Sequence, residues 1–185
     1  MAWTWTVAAA ILALVAAAVA GSSLRAYSER RRRYSDAVHL WQSTPDERRL
    51  EVFSALPLEQ DLNGPAWYLL GCAHLHHSQI RSAARAFGMA HHADCKLESA
   101  ALLTFACLKA GEGSDSDVVD QIAITWDEMK RPEPLKCRED RLLLECLDTT
   151  VGPAPRLTPL GRLAWLVVGA ALRPRVEQVF SAKAG

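Results

Sequence analysis

No C-x-x-C pair occurs among the five cysteines of this 185-residue chain, Cys72, Cys95, Cys107, Cys137 and Cys146. An odd, unpatterned set argues against a disulfide framework and fits a reducing compartment, with most of the five as small core residues. No haem attachment motif is present. The catalytic signatures are missing too: there is no glycine-rich phosphate loop, no G-x-S-x-G and no H-E-x-x-H, and the carboxylates are scattered rather than paired. The sequence therefore predicts a non-enzymatic protein that needs no cofactor and no metal. Nowhere do apolar and polar residues alternate between turn dipeptides, so no strand is expected. The one dense basic run, Arg30 to Arg33, has a membrane explanation given below, and nucleic-acid binding is not expected.

What is present begins at the N-terminus. Trp3 to Ala20 is an uninterrupted apolar run opened by Trp3 and Trp5, and after Gly21-Ser22-Ser23 come Arg25, Arg30, Arg31, Arg32 and Arg33. About 20 mostly apolar residues suffice to cross about 30 Å of hydrocarbon, so residues 1–24 read as a transmembrane anchor and 25–33 as its basic juxtamembrane flank. Arginines accumulate on the cytoplasmic side, which sends Met1 outward and the soluble part to the cytoplasmic side. A cleaved signal peptide is the competing reading, since Ala18-Val19-Ala20 has the small-x-small shape of a cleavage site; Met1 to Thr6 lacks the basic n-region such a peptide wants. Alanine inserts less strongly than leucine, and the Ala-rich surface suits close packing against a partner helix in the bilayer.

The formal net charge is zero but unevenly spread. Residues 25–33 carry five Arg against Glu29, and residues 156–185 carry four Arg and Lys183 against Glu177. The middle is correspondingly acidic. Basic ends and an acidic centre fit a domain whose ends lie near an anionic leaflet, or ordinary solvated charge.

About 150 residues beyond the anchor make one soluble domain, and its punctuation is helical. A helix is expected over 26–43. Thr44-Pro45-Asp46-Glu47 then reads as an N-cap, a first-position proline and a capping box for a helix ending near Leu56-Pro57. Asn63-Gly64-Pro65 starts a helix to about His77, 79–92 is its antiparallel partner, and 97–110 stops at Gly111. Asp115 or Ser116 caps a helix to Lys130. Another covers 138–148, Thr158-Pro159 starts one to Leu172, and Pro174 begins a last. The all-apolar stretch 160–172 is too short to span a bilayer; it reads as a buried capping helix or one lying at the membrane interface.

Helices of about 12 residues on short turns prompt a search for repeats. Trp67-Tyr68-Leu69-Leu70-Gly71 has the W-x-x-L-G form, and the spacing continues at Ala73, Ile80, Ala83, Phe87 and Ala90. Gly71 and Ala83 are small where two antiparallel helices approach closely, while Trp67, Leu70, Phe87 and Ala90 fill the layer between them. This segment resembles a tetratricopeptide repeat over residues 64–95, with His74 and Cys95 departing from the usual Tyr and Pro. Leu103, Ala106 and Gly111 form a degenerate second unit, and Tyr34, Ala37 and Trp41 resemble the second helix of an upstream one. The resemblance implies an all-α array of helical hairpins over 34–150, capped by helices in 151–185. It also implies a concave groove that takes a partner segment, lined in the best unit by Tyr68, Cys72, Leu75 and His76; the other reading of these four is packing against a neighbouring helix.

Five of the six histidines fall at His74, His76, His77, His91 and His92, and His91 with Cys95 has i, i+4 spacing, so a metal- or pigment-handling subunit is one alternative. A receptor for targeting peptides is another. The main expectation is a membrane-anchored scaffold, a subunit or assembly factor of a membrane protein complex.

Overall fold

The structure, a computed structural model, describes residues 2–57, 63–113, 117–128, 137–151 and 155–181. Among these the fold is all-α, with nine α-helices and no strand beyond one isolated bridge between Leu157 and Ser181. The expected caps at Asp115 and Ser116 lie outside the described residues, as do the side chains of Trp3 and Trp5.

Helix α1, Ala2–Ser43, is unbroken for 42 residues, about 63 Å at 1.5 Å per residue. Among the described side chains its apolar part is exposed: Ile11, Leu12, Leu14, Val15 and Val19 are each 55–71% exposed. Among the described helices it is the one long and apolar enough to cross a membrane. From Tyr34 onward the same helix enters the core, burying Tyr34, Ala37 and Trp41 at i, i+3 and i+7. Residues 25–33 are therefore helix throughout and not a linker.

A tight corner follows. Thr44 turns back, its hydroxyl donating to the Leu40 carbonyl at 2.6 Å, so it does not cap helix α2, Asp46–Ser54; Pro45 occupies the N-cap position without a side-chain bond. Backward bonding to i−4 is the competing use of a helix-end threonine. Arg49 closes the corner, with Nε donating to the Trp41 and Thr44 carbonyls at 3.2 and 3.1 Å and its guanidinium 4.3 Å from the Trp41 ring centre.

Helices α3 (Gly64–His76), α4 (Ile80–Ala93), α5 (Glu98–Ala110) and α6 (Asp117–Glu128) pack each against the next, as hairpins of a helical-repeat fold do. Ser78, at φ 56°, makes the turn from α3 to α4, where Gln79 N–H donates to the His74 carbonyl. Helices α7 (Arg138–Val151), α8 (Pro159–Val167) and α9 (Arg173–Phe180) then turn back over the array: α7 packs on α1, and α8 on α6, α7 and α3. Thr158 caps α8, accepting from Gly161 N–H at 3.1 Å. The helix expected to reach Leu172 stops at Val167, because Val168 is extended and Gly169 lies so close to His76 that a Cβ would be 3.3 Å from its Cα. Leu163 to Val168 are buried.

Candidate functional site

The residues that carry the repeat resemblance meet between α3 and α4. A Cβ on Gly71 would come within 2.6 Å of the Phe87 ring, so glycine is what lets the two helices approach. Leu70, Ala83, Phe87 and Ala90 are buried, and Trp67 is half-buried at the edge of the core.

The expected groove is not open. Tyr68 and Cys72 are 0% exposed, Leu75 is buried, and His76 is mostly covered. Tyr68 meets the Phe87 ring edge-on at 5.3 Å, and its hydroxyl lies 3.1 Å from Ser99 Oγ. His76 is enclosed by the Trp41 ring at 6.1 Å and by Gly169. Helices α1, α2 and α8 of the same chain pack on α3 and thus occupy the surface that a partner would need. Short arrays leave apolar faces that must be buried somewhere, and here the chain buries its own.

Two polar junctions hold this closure. Asp140, on α7 and fully buried, accepts from Ser99 Oγ at 2.6 Å and from Ser99 N–H at 3.2 Å, so it caps the start of α5 from a distant helix. Burial pushes its carboxyl up to about 6, against the lowering effect of those hydrogen bonds. Asp94, just past α4, accepts from Tyr34 Oη and Arg30 Nη2, both at 3.1 Å. Arg30 also approaches Glu139 of α7 at 3.7 Å. Burial, then the Asp94 charge, raises the Tyr34 phenol far above its ordinary range. Neither aspartate was predicted. Asp140 left a trace, an acid on the same helical stripe as Leu143, Leu144 and Leu147; Asp94 accepts locally from the Lys96 N–H at 3.1 Å, an ordinary turn contact, while Tyr34 and Arg30 lie 60 and 64 residues away.

The buried thiols are inert. Burial moves Cys107 up to about 12 and Cys72 further, the nearby Cys107 adding to the latter. His76 is pushed down to about 4 by burial and then by the Arg173 guanidinium, and its Nε2 has no hydrogen-bond partner. The other histidines disperse: His74 bonds Gln79 at 2.8 Å, and His91 approaches the Leu97 carbonyl at 3.3 Å. The His91–Cys95 pair does not share a helix face, because α4 ends at Ala93 and Asp94 is extended. Among the described residues no three His, Cys, Asp or Glu side chains come together as metal ligands would.

Of the flank arginines, Arg30 is drawn into the domain, Arg33 pairs with Glu29 at 3.0 Å, and Arg32 points to solvent beside Asp36. Apolar side chains exposed outside α1 include Phe105 and Leu108, one turn apart on α5, and Ile124 on the adjacent α6. Comparison with protein families, with curated proteins and with solved structures finds no match for this chain.

Proposed function

We propose that this chain is a single-pass membrane-anchored scaffold built on tetratricopeptide-like hairpins, serving as a structural subunit or assembly factor of a membrane protein complex. The observation that supports this reading most is the continuity of α1. Its apolar half exposes Ile11, Leu12, Leu14, Val15 and Val19, and its other half is built into the core at Tyr34, Ala37 and Trp41. A domain joined to its anchor without a hinge keeps one orientation relative to that helix, which is what a scaffold needs and a tethered, searching receptor does not. The arginine flank supports a topology with Met1 outside and the domain on the cytoplasmic side.

Partner contact then falls on two surfaces. One is the Ala-rich side of α1 within the bilayer, where small residues permit close helix packing. The other is the exposed trio Phe105, Leu108 and Ile124. The packing of α1, α2 and α8 on α3 speaks against the reading as a receptor for targeting peptides, which needs that face open.

The test is gentle-detergent purification of the full chain from its native membrane, with mass spectrometry of what remains bound after sizing. The expected result is stoichiometric co-elution with one membrane complex, lost in the Phe105→Glu, Leu108→Glu variant while that variant stays membrane-bound and helical. Elution alone, or with many substoichiometric proteins, overturns it. Sidedness is read on a variant whose sole cysteine is the exposed Cys95, expected to react with an impermeant maleimide only after the membrane is opened.

A further inference from the structure

A cavity of about 460 Å³ sits where α1 leaves its apolar stretch, walled by Ser23 to Tyr34 on one side and by Pro65 and the Ala93 to Lys96 turn on the other. Around α1 a smaller hollow shares Tyr27, Arg30 and Tyr34 and adds Arg31 and Arg138, whose Nη1 donates to Tyr27 Oη at 2.7 Å. Depth follows from helix geometry. If the hydrocarbon ends near Leu24, the next 5–8 Å of headgroup layer covers about four or five residues at 1.5 Å each, so the mouth of the cavity lies among lipid headgroups.

Charge points the same way. The two hollows together carry Arg30, Arg31, Arg33, Lys96 and Arg138 against Glu29, Asp94 and Glu139. Arg30 is committed to Asp94, whereas Arg33 holds the exposed Glu29 at 3.0 Å, and the half-exposed Lys96 approaches at 3.6 Å a Glu139 that keeps Arg30 as a second partner. Such surface pairs are worth about 0–1 kcal/mol, so both cations can turn to a better anion. Above the cavity α1 is bare: nothing lies within 4 Å of where a Cβ on Gly21 would stand, leaving its surface free for acyl chains.

We propose that this cavity holds the phosphate of one anionic glycerophospholipid, with Arg33 and Lys96 as its cationic contacts and the acyl chains lying along α1. The inference rests on the membrane reading above.

The test uses the full chain in a mild non-ionic detergent, with native mass spectrometry counting bound lipid as phosphatidylglycerol, phosphatidylcholine or inorganic phosphate is added. The expected result is one phosphatidylglycerol retained in preference to phosphatidylcholine. The Arg33→Gln, Lys96→Gln variant should weaken that retention about tenfold. The charge-matched Arg32→Gln, Arg48→Gln variant should leave it unchanged. Equal retention of both lipids, or equal loss in both variants, overturns the site in favour of diffuse surface charge. Displacement by an equal concentration of inorganic phosphate overturns it in favour of a free-anion site. Flotation with phosphatidylcholine vesicles separates the two readings: a chain that floats but shows no lipid preference loses this site and keeps its anchor, and one that does not float loses both.

Discussion

Gly71 lies directly under the ring of Phe87, closer than any Cβ could stand. That single approach sets the spacing of α3 and α4 and, through the edge-on contact of Phe87 with Tyr68, the position of the next layer.

Two glycine substitutions should therefore move stability in opposite directions. Gly71→Ala gains about 1 kcal/mol of helix propensity but displaces a buried ring at a cost of about 1–3 kcal/mol, for a net loss. Gly88→Ala on α4 meets only Thr104 at 3.7 Å, an ordinary contact, and should gain up to about 1 kcal/mol. Thermal melting by circular dichroism in detergent checks both; equal shifts in the two variants would remove the close approach as an explanation.

The Asp94 junction should be worth more than its individual bonds. Tyr34→Phe removes one hydroxyl and should cost about 1 kcal/mol. Asp94→Leu leaves the buried Tyr34 hydroxyl and Arg30 without their acceptor and should cost about 3 kcal/mol, below the full value for a buried pair because Arg30 is 37% exposed. If the two variants melt alike, Asp94 does not tie α1 to the turn after α4.

Acid should act on two groups with opposite sign. Asp140 titrates near 6 in the fold against an ordinary 3.8, so the native state takes up its proton first and gains stability as pH falls from about 6 to about 4. His76 titrates near 4 against 6.5, so the unfolded state takes up its proton first and the fold loses stability between about pH 6.5 and 4. Each effect reaches about 2–3 kcal/mol at 1.36 kcal/mol per pH unit. Denaturation at pH 7 and pH 4 should show Asp140→Asn losing ground relative to the wild type on acidification and His76→Gln gaining it. Variants whose curves run parallel to the wild type would refute both assignments.

Thiol accessibility should follow burial. Cys95 is exposed and should react with a maleimide within minutes, while Cys72 and Cys107 react only on unfolding. Peptide mapping after a timed pulse reads this, and early labelling of Cys72 would mean that α1, α2 and α8 do not cover α3.

Features that depend on a few neighbouring residues were legible in the sequence. Asn63-Gly64-Pro65, Gly111 and Thr158-Pro159 marked helix ends where the chain has them, and the spacing from Trp67 to Ala90 described one hairpin complete in itself. Whether Tyr68, Cys72, Leu75 and His76 faced a groove or a neighbour was not legible, because it depends on how α1 and α2 fold back from upstream and α8 returns from downstream. The break after Val167 is of the same kind: Gly169 is needed against His76, and nothing local to residues 160–172 announces it. Thr44 failed for a local reason, as its hydroxyl could either accept from the free N–H groups that open α2 or donate to the free carbonyls that close α1, and it does the second.

An unbroken rod passing from lipid into a folded core also acts as a lever. Tilting α1 by about 20°, an ordinary response to a change in bilayer thickness, would swing a domain edge about 25 Å from the axis by on the order of 9 Å. Whatever binds the face around Phe105 would be raised or lowered with it, so the thickness of the host membrane would be felt as the height of a docking surface.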